Sequence, residues 1–248
     1  MEVYILSPMN SALFKQCVKI SSPIFFGYIA IGMPFGLMIV NAGYPWWISL
    51  VMSIFMYAGA GQYIAVGLFA SGASLAEVFI AELLVNIRHI VYGLSLIDKF
   101  KNCGKWKPYL IFALTDETYA LLTSTDLPPD AEPGPFFGTI ALLDHLYWIC
   151  GCVLGAVACN ILLHFNLSQY IAGVDFALTA LFVVILIEQI KKTQDFIPPV
   201  IGIAAGTIAV VLFKVGLLPV NNILLVAITV AITVLILVRG RNLKEQTE

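Results

Sequence analysis

Long apolar runs separated by short polar stretches dominate this chain, and eight of them stand out at 23–42, 46–71, 75–97, 109–125, 136–163, 174–190, 197–213 and 217–238. Crossing about 30 Å of hydrocarbon at 1.5 Å per residue takes roughly 20 apolar residues. The runs at 23–42, 75–97, 136–163 and 217–238 approach or exceed that length. Lengths of this kind predict helices rather than barrel strands. The expected fold class is therefore all-α, a polytopic transmembrane helix bundle of six to eight hydrophobic segments, broken or re-entrant helices among them. Residues 1–22 read as a short cytoplasmic N-terminal segment, 23–238 as a single transmembrane domain and 239–248 as a short polar tail. No A-x-A-like cleavage site accompanies Lys15 and Lys19 before the first run, so that helix is expected to act as its own signal.

Basic residues in short loops mark the cytoplasmic side. Here they are Lys15 and Lys19, then Lys99, Lys101, Lys105 and Lys107, then Lys191 and Lys192, then Arg239, Arg241 and Lys244. Simple alternation of eight crossings places the four-lysine loop outside. If 46–71 enters and leaves on one side, and 109–125 also fails to cross, six full spans bring every basic cluster to the cytoplasm. Each of those segments has a reason to break: Ala58-Gly59-Ala60-Gly61-Gln62 in the first, adjacent Asp116 and Glu117 in the second. The alternative is eight crossings with one loop that violates the charge rule.

Composition agrees with the pattern. Of 248 residues, 60% are hydrophobic and 11% charged, against about 25% charged in soluble domains; the mean hydropathy is +0.94. The net charge of −2 with no basic block gives no reason to expect nucleic-acid binding. Five cysteines, Cys17, Cys103, Cys150, Cys152 and Cys159, are an odd number, and Cys150 and Cys152 point to different helix faces, so membrane packing is expected rather than disulfides or a metal. Three G-x-x-x-G motifs, Gly32 to Gly36, Gly151 to Gly155 and Gly202 to Gly206, predict close helix packing within the chain. Pro34 is expected to kink its helix, and 126–135 reads as a stiff polar loop.

The chemistry concentrates where hydrocarbon would be. An arginine at the centre of a spanning helix costs roughly 2.5–3.5 kcal/mol on insertion scales, so such a residue normally faces a partner, a cavity or a substrate path. Run 75–97 carries Glu82, Asn86, Arg88 and His89. Glu82, Asn86, His89 and Gly93 fall on one helical face, with Arg88 about 100° away from His89. Arg88 and Asn86, with Gln62 beside the glycine-rich break, are candidates for holding an amino acid's carboxylate and ammonium. The competing reading is structural, a salt bridge from Arg88 to Glu82, Asp116, Glu117 or another acid. His89, Asp116 and Glu117 are candidates for proton coupling, because buried acids outnumber buried arginine and cannot all stand charged and unpaired. Glu82, Asp144 and Asp175 are secondary candidates, and N-terminal capping is a sufficient role for Asp175. Asp144 and His145, adjacent on a helix, are expected to serve different neighbours.

No H-E-x-x-H, G-x-S-x-G or G-x-x-x-x-G-K-[ST] motif occurs, so neither enzymatic activity nor a cofactor or metal is expected. The catalytic rival is an intramembrane hydrolase using Asp144 and Asp175; a channel-like or assembly subunit is another alternative. The segments Tyr57–Gln62, Asn86-Ile87-Arg88-His89-Ile90-Val91-Tyr92-Gly93, Thr115-Asp116-Glu117-Thr118 and Val174-Asp175-Phe176-Ala177-Leu178-Thr179-Ala180 together resemble the AzlC permease family, over roughly Phe25 to the C-terminus. The resemblance implies a multi-pass permease of the bacterial inner membrane that exports branched-chain amino acids such as valine with a small hydrophobic AzlD-like subunit. Uptake, or a different small amino acid, is the runner-up. A mostly apolar pocket with a few polar groups suits such a substrate.

Overall fold

The computed structural model describes residues 10–167 and 194–219, most of 223–245, and scattered positions between 169 and 191. Among the described residues there are helices and no strands, as a membrane bundle requires. The helices are α1 (Ser11–Asn41), α2 (Trp46–Phe55), α3 (Gly59–Ala70), α4 (Leu75–Asn86), α5 (Arg88–Ser95), α6 (Lys107–Phe112), α7 (Asp116–Ser124), α8 (Pro133–His164), α9 (Ile197–Lys214) and α10 (Ile223–Glu245). Among the described residues four helical stretches are long and apolar enough to cross a bilayer: Ser11–Asn41, Leu75–Ser95, Pro133–His164 and Ile197–Lys214. Their outward faces carry Phe26, Leu83, Ile90, Val91, Leu94, Val200 and Ile203, all exposed. A surface so apolar is stable against lipid and not against water.

Three of the expected spans are interrupted. The 46–71 run breaks at 56–58 between α2 and α3, where Tyr57 takes a left-handed φ of 39°, strained for a bulky residue. The 75–97 run is interrupted at Ile87, between α4 and α5. The 109–125 run is two short helices, α6 of 6 residues and α7 of 9, neither long enough to span alone. The first helix, by contrast, begins at Ser11 rather than 23 and runs through Pro23 and Pro34 without a break. The expected segment at 174–190 lies largely outside the described residues.

The chain divides into two compact units. The first comprises Met1–Gln62 and Asn86–Asp175, the second Tyr63–Val85 and Phe176–Glu248. The first unit is organised by α1 against α8, and two of the three glycine motifs explain why. A Cβ on Gly36 would lie 2.0 Å from the Cys152 carbonyl oxygen, and one on Gly155 would lie 2.0 Å from that of Met33. Gly32 and Gly151 meet the opposite backbone in the same way. Only hydrogen fits in this seam. Around it Phe35, Ile39, Ile140, Cys152 and Cys159 are fully buried, and the Ser49 hydroxyl of α2 donates to the Cys152 carbonyl at 3.1 Å. The third motif behaves differently: among the described residues nothing lies within 4 Å of a Cβ on Gly202 or Gly206.

In the second unit Ile64, Leu68 and Ala81 form a small core covered by Ala73, Val78 and Val85. A capping box opens α4, with the Ser74 amide donating to the Glu77 carboxylate at 2.7 Å and the Glu77 amide to the Ser74 hydroxyl at 3.3 Å.

Candidate functional site

The interruption at Ile87 starts α5 at Arg88, within the Leu75–Ser95 span. Along this stretch the polar residues Asn86, Arg88, His89 and Tyr92 are half-buried, whereas Ile87, Ile90, Val91 and Leu94 are exposed. The polar face therefore turns toward protein and the apolar face toward lipid.

Arg88 is paired. Its Nη1 lies 2.9 Å from Asp116 Oδ2, and the two side chains are 32% and 34% exposed. Asp116 opens α7, where a carboxylate also meets the positive end of the helix. Its other oxygen accepts the Tyr92 hydroxyl at 2.6 Å, and the Tyr92 ring stacks on that of Tyr119 at 4.2 Å. Both carboxylate oxygens are thus engaged, while the guanidinium keeps donors in reserve: its Nε has no hydrogen-bond partner among the described residues. His89 stands next to this pair, its ring 5.8 Å from that of Tyr92.

One residue further along α7, the chemistry turns inward. Glu117 is exposed on the protein surface, and Tyr28 of α1 donates to its Oε2 at 3.1 Å. The same phenol meets the Thr115 hydroxyl. Thr115 caps α7 by accepting the Thr118 amide at 3.1 Å and donates its hydroxyl proton to Thr118 Oγ1 at 3.1 Å. Thr118 in turn donates to Asp144 Oδ2 at 2.9 Å. Asp144 is fully buried on α8; among the described residues its Oδ1 has no partner and no lysine or arginine pairs with it.

Tyr28 also joins a second arm. Its ring meets Trp148 edge-on at 5.3 Å, and the Trp148 indole N–H donates to Gln62 Oε1 at 2.7 Å. Gln62 is fully buried and its Nε2 has no hydrogen-bond partner among the described residues. The glycine beside the break matters here, since a Cβ on Gly59 would meet the Trp148 ring at 3.1 Å. His145 belongs to the scaffold of the break. Its Nε2 meets the Ser53 carbonyl at 3.0 Å, so that nitrogen carries the proton, and its Nδ1 pairs with the Tyr109 hydroxyl at 3.1 Å. Tyr57 stacks on its ring at 4.0 Å. Asp144 and His145 do serve different neighbours.

Gln62, Asn86, Arg88, His89, Asp116, Glu117 and Asp144 thus all belong to the first unit, and Tyr28 and the threonines link Glu117 to Asp144. Glu82 is half-buried in the second unit. Asp175 lies outside the described residues. Sequence reasoning did not single out Tyr28, Thr115, Thr118 or Trp148. The available signal was Thr115 at the N-cap of α7 with Thr118 in its first turn; nothing in the α1 sequence marks Tyr28 as their partner. Among the described residues no cluster of three or more His, Cys, Asp or Glu is placed to hold a metal.

Comparison with known proteins gives a consistent pattern. The family model described as AzlC protein matches residues 23–162, which contain every residue of the site just described. A Helicobacter pylori (strain J99) protein bearing the name uncharacterized membrane protein is 38% identical over 91% of this chain and 95% of its own length. The branched-chain amino acid transport protein AzlC of Bacillus subtilis is 31% identical, covering 82% of this chain and 78% of that protein. The inner membrane protein YgaZ of Escherichia coli K12 is 30% identical over 75% and 77%. No solved structure matches the chain significantly.

Proposed function

This chain belongs to the AzlC family, and from that premise we propose that it is a secondary transporter of the bacterial inner membrane that exports branched-chain amino acids such as L-valine. A transport role in the membrane fits both the relatives and the apolar spans. The substrate class, outward direction, proton coupling and a small hydrophobic AzlD-like partner are parts of this proposal.

The observation that supports it most is the half-exposed Arg88–Asp116 pair on the inward face of an interrupted span. A buried strut is normally a two-pronged pair, with the remaining guanidinium donors satisfied by other acceptors. Arg88 instead spends one nitrogen on Asp116 and leaves Nε open. In the proposed cycle a substrate carboxylate competes with Asp116 for Arg88. Gln62 and Asn86 orient the remainder of the substrate, Gln62 through the amide nitrogen that Trp148 leaves free. The aliphatic side chain needs only an apolar wall, so discrimination among valine, leucine and isoleucine is expected to be modest, about 1–3 kcal/mol per methylene. Access alternates as broken helices rock about the site.

The test is counterflow of labelled valine in proteoliposomes of the purified chain, with and without the small subunit. Exchange against internal valine, suppressed by leucine and isoleucine, is the expected result. Absence of exchange under both conditions, with folded protein in the vesicles, would refute the reading.

A further inference from the structure

Among the described residues, the carboxylate best insulated is not the one that pairs with arginine. Asp144 has no exposed surface, and among the described residues its Oδ1 has no hydrogen bond and the one bond to its Oδ2 comes from a threonine. A charged carboxylate in that setting is uncompensated, so the group is stable there as an acid or with its charge neutralised on arrival of a proton. What surrounds it also points to a proton. The titratable groups facing it are phenols and an acid: Tyr28 from α1, Tyr57 from the α2–α3 break, Tyr109 from α6 and Glu117 from α7, with His145 adjacent on α8 and occupied elsewhere.

From these positions we propose that Glu117, Tyr28, Thr115, Thr118 and Asp144 form a proton relay, with Glu117 the surface port and Asp144 the buried site that the proton loads. This inference rests on the transporter reading for its role in coupling, though not for its existence. It separates the two neighbouring acids of α7: Asp116 is held by Arg88 and Tyr92, and Glu117 alone opens the inward path.

The bonding balances at each step. With Glu117 protonated and Asp144 charged, the Glu117 acid donates to the Tyr28 oxygen, Tyr28 to Thr115, Thr115 to Thr118 and Thr118 to Asp144 Oδ2. A concerted shift breaks one O–H bond and forms one at each hydroxyl. One proton leaves Glu117, one arrives on Asp144, and all three hydroxyls end neutral. They then point the other way, with Tyr28 donating to the Glu117 carboxylate. Each hydroxyl has the single donor and free acceptor this requires, and Thr115 retains capacity to cap the Thr118 amide. The separations of 3.1, 3.1 and 2.9 Å for Tyr28–Glu117, Thr115–Thr118 and Thr118–Asp144 are those of formed hydrogen bonds. The chain passes from α7 to α1, back to α7 and on to α8, so movement between these helices would open or close it.

The experiment is infrared spectroscopy of the purified protein, which reads carboxylic-acid protonation without any substrate. A buried acid band present in the wild type and absent in Asp144→Asn is expected. On transfer to heavy water, that band should exchange at least about tenfold more slowly in Thr118→Val, equivalent to ~1.4 kcal/mol on the barrier. Thr118→Ser, which restores the hydroxyl, should exchange at the wild-type rate. A wild-type spectrum without an Asp144 band from acid to neutral pH would overturn the proposal, as would Thr118→Val exchanging at the wild-type rate. In proteoliposomes Thr118→Val should lose pH-driven valine accumulation while valine–valine exchange persists. Accumulation that survives overturns the coupling role alone, whereas a wild type that exchanges no valine overturns the transporter reading and leaves the infrared result to judge the relay.

Discussion

Replacing Gly155 by alanine should separate the α1–α8 seam, and the cost follows from the distances. The added Cβ would lie 2.0 Å from the Met33 carbonyl oxygen and 2.7 Å from its carbon, about 1.4 Å short of ordinary contact, which begins at 3.4 Å. The atoms it meets are backbone within a 31-residue helix, so no rotamer change relieves the clash and the helices must move apart. Overpacking of this kind costs about 1–3 kcal/mol. The geometry argues for the upper end, less the ~1 kcal/mol that alanine gains over glycine in a helix. At about 2–4 °C per kcal/mol for a chain of this size, melting in detergent should fall by roughly 4–8 °C. Gly36→Ala should behave alike, since its Cβ would also lie 2.0 Å from backbone, whereas Gly32→Ala, at 3.0 Å, should cost less. The sign should reverse at Gly202, where nothing lies within 4 Å and the same substitution should leave melting unchanged or raise it. Thermal unfolding followed by tryptophan fluorescence or scanning calorimetry reads all four. A Gly155→Ala protein melting with the wild type, or a Gly202→Ala protein losing as much as Gly155→Ala, would refute the assignment of the seam.

Three further outcomes follow from the site. Trp148→Phe keeps the ring against Tyr28 but strips the donor from buried Gln62, which should cost about 1–3 kcal/mol and weaken valine exchange; melting and exchange rates unchanged from wild type would show that the bond is idle. Lys99 holds the end of α7, its Nζ donating to the Leu122 and Thr125 carbonyls at 2.5 and 2.6 Å, although burial lowers its pKa against the opposing pull of Asp126. Lys99→Ala should destabilise the protein by about 1 kcal/mol, discounted for partial exposure, and increase amide exchange in α7; protection factors equal to wild type would contradict this. Arg88→Asp combined with Asp116→Arg should recover the melting lost by either single substitution without recovering transport, and a transport-competent double variant would argue that the pair is a strut and nothing more.

Much of this architecture was legible because hydropathy and small residues report what lipid and close packing demand. The interruptions at 56–58 and 113–115 fell where Ala58–Gln62 and Asp116-Glu117 made a continuous helix costly, and two of the three G-x-x-x-G motifs met each other. Helix lengths were less legible, because hydropathy marks the hydrocarbon and not the helix: α1 continues through residues 11–22, which are polar enough to lie beyond it. Arg88 was legible as a problem needing a partner, but its choice of Asp116 over Glu117 depends on how α5 meets α7, a tertiary fact. The rank of the acids was the least legible. Asp144 looks no more special in sequence than Asp116, and its depth arises because α1, the α2–α3 break, α6 and α7 close around its place on α8. Tyr28, the hub, sits in α1 with no motif to mark it.

The account depends most on Arg88 being able to leave Asp116 for a substrate carboxylate. Valine counterflow by Arg88→Ala, in vesicles where melting verifies folded protein, tests this directly. The account predicts that exchange is abolished while the fold persists; exchange at the wild-type rate and affinity would contradict it.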